Sequence, residues 1–255
     1  MSDVLVLCYH AVSEGWTARL SVMPHALERQ LEVLLGQGYV ATTFEQAVLD
    51  PPAPRTVAVT FDDAYRSVAV HARPILESLG VPGTVFVPTL WPGRNRPMAW
   101  PGIDDWLGTE WESELLGSDW EELGRLAAAG WEIGSHTRTH PHLTTLSDAA
   151  LAEELERSRE ECEAALELPC RSLAYPYGDV DRRVVTAANR AGYACAAALP
   201  RRFDSRDRLC WPRVGVYHRD ELWRFRAKTS GALRRLRGSR AWEGVDSLRR
   251  AVRRG

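Results

Sequence analysis

Thr56-Val57-Ala58-Val59-Thr60-Phe61-Asp62-Asp63 runs uncharged and rich in β-branched residues, then sets two carboxylates side by side. A short apolar run closed by polar residues reads as a strand buried on both faces, as in a parallel sheet. The linker Pro51-Pro52-Ala53-Pro54 precedes it. A helical pattern over 64–79 follows, ending at Gly80, and a strand over 84–87 comes next. The same alternation extends both ways. Upstream lie a strand at 4–9, a helix at 24–36 opened by Pro24, a short strand at 39–42 and a short helix at 43–50. Downstream the pattern predicts helices over 120–129, 149–166 (capped by Ser147 or Asp148) and 180–191, with strands at 131–134, 172–175, 193–197 and 214–217. Strands alternating with helices call for a parallel sheet. In 255 residues the expected solution is α/β, a distorted (β/α)7-8 barrel in one domain. An open doubly wound sheet is the alternative.

Composition agrees with a globular chain: 45% hydrophobic, 26% charged, net charge −2. No global basic field invites nucleic acid. The charge is nevertheless uneven, because residues 224–255 carry eleven Lys or Arg against Glu243 and Asp246. A barrel over 1–223 with a basic helical extension over 224–255 is the expected organisation. The runs Arg234-Arg235-Leu236-Arg237 and 248–254 fit either a solvated helix over the acidic barrel or peripheral contact with an anionic membrane. Five cysteines without a Cys-x-x-Cys pair suggest neither a disulfide framework nor a cysteine zinc site. With no signal-peptide pattern and no apolar run long enough to span a bilayer, a cytoplasmic location is expected.

In a barrel, chemistry gathers at the C-terminal ends of strands. Asp62 and Asp63 sit there; one could bind a cation while the other stays free as a base, or both could cap the next helix. His136-Thr137-Arg138-Thr139-His140 follows another strand. Its two histidines could chelate a metal from a single helical turn, and with one Asp would form a facial site. Tyr175-Pro176-Tyr177-Gly178 makes a turn at a third strand end, and His10 closes the first strand. Loop 90–118, with Trp91, Trp100, Trp106 and Trp111, is too aromatic for disorder. It reads either as a functional wall of the site or as packing over the barrel mouth.

Together Thr-Phe-Asp-Asp at 60–63, His-Thr-x-x-His at 136–140 and the Tyr-Pro-Tyr-Gly turn resemble the polysaccharide deacetylase family, carbohydrate esterase family 4, over roughly residues 4–217. The resemblance implies a distorted (β/α) barrel and a divalent metal, zinc first, with Co2+, Ni2+ or Mn2+ as alternatives. It implies Asp63, His136 and His140 as ligands, Asp62 as general base and the Tyr177 backbone N–H as part of an oxyanion hole. Ala174 stands where most members carry an Arg that orients the base; Arg213, in Trp211-Pro212-Arg213, is the candidate replacement. The usual late Leu-x-His motif is missing as well. Leu7-Cys8-Tyr9-His10 instead resembles the subgroup acting on poly-N-acetylglucosamine, which implies His10 as the acid, with His218 as alternative. Trp91, Trp100, Tyr175 and Arg213 are the expected substrate contacts. The expected activity is metal-dependent removal of an N-acetyl group from an amino-sugar compound, small or lipid-linked, as an intracellular biosynthetic intermediate. Another amide, a cyclic amide, an acetyl ester, or a non-catalytic sugar-binding role are the alternatives.

Overall fold

A computed structural model describes residues 3–199 and 207–237. The strands are β1 (Asp3–Tyr9), β2 (Ala11–Val12), β3 (Ser21–Val22), β4 (Val40–Thr42), β5 (Arg55–Phe61), β6 (Gly83–Val87), β7 (Glu132–Ser135), β8 (Ser172–Ala174), β9 (Cys195–Ala198), β10 (Trp211–Pro212) and β11 (Val214–Gly215). The helices are α1 (Pro24–Gly36), α2 (Phe44–Leu49), α3 (Arg73–Ser78), α4 (Trp120–Ala128), α5 (Asp148–Leu166), α6 (Arg182–Arg190), α7 (Leu222–Thr229) and α8 (Gly231–Arg237).

The main sheet runs β10-β9-β8-β7-β6-β5-β1-β11, with parallel pairing throughout. β4 pairs with the first half of β5, and β6 with the second half. The two ends of this order adjoin in the chain, since only Arg213 separates β10 from β11. β10 pairs with β9 and β11 with β1, so one short segment spans the remaining gap. The result is a nearly closed parallel (β/α) barrel in a single domain.

Strand parity decides what faces inward, because successive side chains point to opposite faces. Val6, Ala58, Phe86, Ala174, Cys195 and Ala197 form an inner cluster, joined by Phe44 and Ala47 of α2. Leu5, Leu7, Val57, Val59, Phe61 and Val85 belong instead to the core between sheet and helices. Continuing the inner rows toward the C-terminal strand ends gives Cys8 on β1 and His10 just past it, Thr60 on β5 and Asp62 just past it, His136 after β7, and Arg213 at the seam. The barrel thus delivers these side chains to one interior layer.

Gly134 keeps that interior open. A Cβ there would lie 2.4 Å from Ser172 Oγ and 2.7 Å from the Phe86 ring. Gly134→Ala should therefore cost about 1–3 kcal/mol by overpacking, read as a lower denaturant midpoint.

Two local expectations fail. The helix foreseen over 64–79 begins only at Arg66 and passes through a π-helical turn, Val68–Ala72, into α3. Asp63 (φ 70°) and Ala64 (φ 54°) are left-handed, so neither carboxylate caps a helix. Similarly, residues 136–140 are not a helical turn, since Thr137 (φ 65°) and His140 (φ 64°) are left-handed too. By contrast, Ser147 does cap α5, its Oγ accepting from Ala150 N.

The start of the basic segment lies against the barrel. The expected division at 223/224 falls inside α7, whose Phe225 is buried in the main core. Arg234 donates to Asp3 Oδ1 (2.7 Å) and Tyr39 Oη (3.1 Å). The run 248–254 lies outside the described residues. Among the described residues, no helix is long and apolar enough to cross a membrane.

Candidate metal centre and active site

Asp62 is 2% exposed and held by two parallel bonds from Arg213, Nη1 to Oδ1 at 2.6 Å and Nη2 to Oδ2 at 2.7 Å. Arg213 Nη1 also donates to Thr60 Oγ1 (3.0 Å), and its Cζ lies 5.5 Å from the Phe86 ring centroid. Bidentate pairing of this kind is strong and fixes orientation. A third donor, the Cys8 thiol, reaches Asp62 Oδ2 at 3.4 Å. Burial alone would raise the Asp62 carboxyl, but the Arg213 charge outweighs it and holds the group well below the usual range. Asp62 is therefore a fixed carboxylate at neutral pH.

Asp63 differs in every respect. Its Oδ1 is buried and has no hydrogen-bond donor among the described residues. His140 Nε2 stands 3.4 Å from that oxygen and His136 Nε2 3.5 Å. His136 Nδ1 lies 2.8 Å from Ala174 O, which makes Nδ1 the protonated nitrogen and leaves the Nε2 lone pair facing Asp63. Burial lowers both histidines, so they are neutral. Burial, then the neighbouring Asp62 charge, pushes Asp63 up. A buried carboxylate oxygen without a donor, facing two neutral imidazole nitrogens, fits a divalent cation, and the nitrogen–oxygen donor set suits zinc. The three residues could hold one; their donor atoms lie within 4.8 Å of one another.

Strain and clips set this geometry. Among the described non-glycine residues with left-handed backbone, five of the six are Asp63, Ala64, Thr137, His140 and Tyr177. Such conformations persist only where surroundings enforce them. Ser135 Oγ accepts from Thr137 N (3.0 Å), and Thr137 Oγ1 from His140 N (3.2 Å). Glu154 on α5 accepts from the backbone N–H of Arg138 and of Thr139, both at 2.9 Å, and from Thr139 Oγ1 at 2.7 Å. Glu161 pairs with Arg138 at 2.8 Å. Glu154→Ala would leave two loop N–H groups unpaired and release His140. Divalent-cation affinity should fall roughly 10- to 100-fold in a titration, the usual cost of losing an outer-shell partner.

Above this cluster opens a cavity of about 350 Å³ lined by His10, Asp62, Asp63, His136, His140 and Tyr177, with Trp16, Arg19, Trp100, Trp106 and Tyr217 on its walls. Trp100 stacks on His140, ring centroids 4.3 Å apart at 25°, and Trp106 packs edge-on against Trp16 at 5.6 Å. Trp100 and Trp106 of the aromatic loop thus line the cavity and also pack against its other residues. Tyr177 (φ 59°, ψ 1°) stands at the turn with its ring 4.6 Å from His140.

Three of the four expected substrate contacts do not line the cavity. Tyr175 points outward by parity and donates its hydroxyl to Leu209 O at 2.7 Å. Trp91 sits behind Trp100, edge-on at 5.6 Å. Arg213 lies beneath the floor, 1% exposed, and reaches the site through Asp62. His10 lines the cavity, and one of its ring nitrogens, one Asp62 oxygen and the Cys8 sulfur lie within 4.8 Å of one another. Burial pushes His10 down to about 4, partly opposed by Asp62. His218 lines a separate groove beside α1 with His25 and Asp220. Cys8, Glu154 and Glu161 were not singled out in the sequence; among these, the parity of Val6, Cys8 and His10 could have exposed Cys8.

The model of the polysaccharide deacetylase family matches residues 50–196, more than half of the chain. The chain belongs to this family. A curated relative, YxkH of Bacillus subtilis strain 168, is 25% identical over 207 residues, covering 79% of this chain. This chain spans 66% of that relative's length, just under two thirds. Among solved structures, BC0361, a polysaccharide deacetylase from Bacillus cereus, is 23% identical and superposes with a TM-score of 0.72 over 90% of this chain and 69% of that one. IcaB from Ammonifex degensii is 24% identical with a TM-score of 0.73, over 90% and 97% of the two chains. Streptococcus pyogenes PplD, solved with acetate, is 20% identical with a TM-score of 0.72, over 89% and 98%. At these identities the structures establish a shared fold for this family member.

Proposed function

We propose that the protein hydrolyses an N-acetyl amide on an amino-sugar-containing substrate, with Asp63, His136 and His140 holding a divalent cation, Asp62 as base and His10 as acid. The observation that carries this reading is Asp63 Oδ1: buried, without a donor, and faced at 3.4 and 3.5 Å by two imidazole nitrogens on a cavity floor. Family membership supports the reaction class.

An amide is a weak electrophile with a poor leaving group. When bound, a divalent cation polarises the carbonyl and acidifies water. Asp62 would accept the proton of the attacking water, its carboxylate kept ionised and aimed by Arg213. The Tyr177 backbone N–H would donate to the carbonyl oxygen as negative charge builds there. His10, neutral in the resting cavity with a ring nitrogen within 4.8 Å of an Asp62 oxygen, would take over the proton that Asp62 removed from the water and deliver it to the departing nitrogen. Trp100 and Trp106 offer apolar faces to the sugar and exclude water.

The test is acetate release by cation-supplemented protein from a panel of N-acetylated amino sugars and O-acetylated sugars. Release from the N-acetyl compounds, abolished by a chelator and restored by zinc or cobalt, is the expected result. Release only from the O-acetyl compounds would reassign the bond, and release unaffected by the chelator would overturn the cation's role.

A further inference from the structure

Arg19, an exposed side chain, stands on the cavity wall with no acidic partner among the described residues. Segment 16–20 is pinned in place: Arg19 O accepts from His218 N at 3.0 Å, and Ala18 O from Ser21 N at 3.0 Å. The guanidinium lies over the Tyr217 ring, Cζ 4.6 Å from its centroid. Tyr217 lines the cavity as well. Three arginines elsewhere on the barrel are paired with acids: Arg213 with Asp62, Arg138 with Glu161 and Arg234 with Asp3. Arg19 makes no ion pair with any described residue. The acid beside Tyr217 is Asp220, and Lys228 and the Tyr217 N–H already engage it.

The cavity holds little negative charge to satisfy Arg19. Its ionic wall and floor groups are Arg19, Asp62 and Asp63. Arg213 cancels Asp62, and on the reading proposed above a cation offsets Asp63. A guanidinium over an aromatic ring, on the wall of a cavity whose described lining offers no unengaged acid, is arranged to meet an anion that arrives with the substrate.

We infer that Arg19 selects substrates in which the N-acetylated sugar carries, or adjoins, a negatively charged carboxylate or phosphate. This rests on the amino-sugar reading and narrows it: neutral N-acetyl sugars are the poorer ligands, and anionic conjugates the preferred ones. The planar fork donates two parallel hydrogen bonds to either group.

Titration calorimetry on zinc-loaded protein tests this with three probes: N-acetylglucosamine, its 1-phosphate, and N-acetylmuramic acid as the carboxylate. At least one charged probe should bind about 10-fold or more tighter than the neutral sugar, as expected for a charge-assisted pair. That advantage should shrink with added salt and collapse in Arg19→Gln, while Arg19→Lys keeps part of it. The better charged probe identifies which anion the site reads. Equal binding of all three, or an advantage that survives Arg19→Gln and so belongs to the metal, overturns the inference. Acetate release is measured on the same samples. Charged binding through Arg19 without release from any probe would sink the deacetylase reading alone; release with no charge preference would sink the Arg19 inference alone.

Discussion

Asp62→Asn should lose 10²–10⁴-fold or more in turnover, about 3–5 kcal/mol of transition-state stabilisation, and still bind one divalent ion per chain. The physical basis is the split between adjacent carboxylates. Asp62 is saturated by Arg213 and the Cys8 thiol, with both oxygens engaged by donors. Asp63 Oδ1 has no donor among the described residues and faces the two histidines. An amide keeps an acceptor for Arg213 but cannot take up the water's proton. Steady-state acetate release measured beside metal content by elemental analysis checks this. Metal loss from Asp62→Asn, with the fold intact by circular dichroism, would overturn the division of roles.

Arg213→Met should destabilise the barrel by about 3–5 kcal/mol at neutral pH, because it leaves the Asp62 charge buried and unpaired. At this size that lowers Tm by on the order of 10 °C. The pH dependence follows from the direction of the shifts. In the wild type, burial raises Asp62 but Arg213 prevails, so its folded value lies below the unfolded carboxyl, about 3.9. The pair's stabilisation is therefore complete above about pH 4 and lost only in stronger acid. In Arg213→Met burial loses its main opponent, leaving only the weaker pull of His136 and His10, and the folded value should rise above the unfolded one. A group shifted this way is most stabilising when protonated, so the deficit should narrow as pH falls toward about 4. Urea melts at two pH values read this out. The double variant Asp62→Leu/Arg213→Met removes both charges and should recover much of the stability while staying inactive. Full activity in Arg213→Met would remove any role for this arginine in holding the base.

Much of this architecture was legible because buried parallel strands announce themselves. β1, β5 and β6 are apolar nearly throughout, and α1 begins at its proline as the pattern predicts. The aspartates and histidines were legible for a related reason, since polar residues at the end of an apolar strand have few structural uses. What misled was local logic applied where the backbone is forced. Asp63 before a helical pattern looks like a cap, and two histidines four apart look like a helical turn. Left-handed backbone at Asp63, Thr137 and His140 defeats both, and it is held by long-range contacts such as that of Glu154 with the Arg138 and Thr139 N–H groups. Tyr175 and Trp91 looked like substrate contacts by composition, yet parity turns Tyr175 outward and Trp100 covers Trp91.

The sequence by itself determined the alternation of strands and helices, hence the parallel barrel, and the carboxylates and imidazoles at its strand ends. These rest on periodicity and residue chemistry, which act over a few neighbours. The tertiary structure alone decided that Arg213, 151 residues from Asp62, closes the barrel seam and clamps that carboxylate. It decided that, among the described residues, Asp63 Oδ1 meets no donor and Arg19 on the cavity wall meets no acid. Pairing of charges is settled by distance in space and by exclusion of water, and only closure of the barrel sets either.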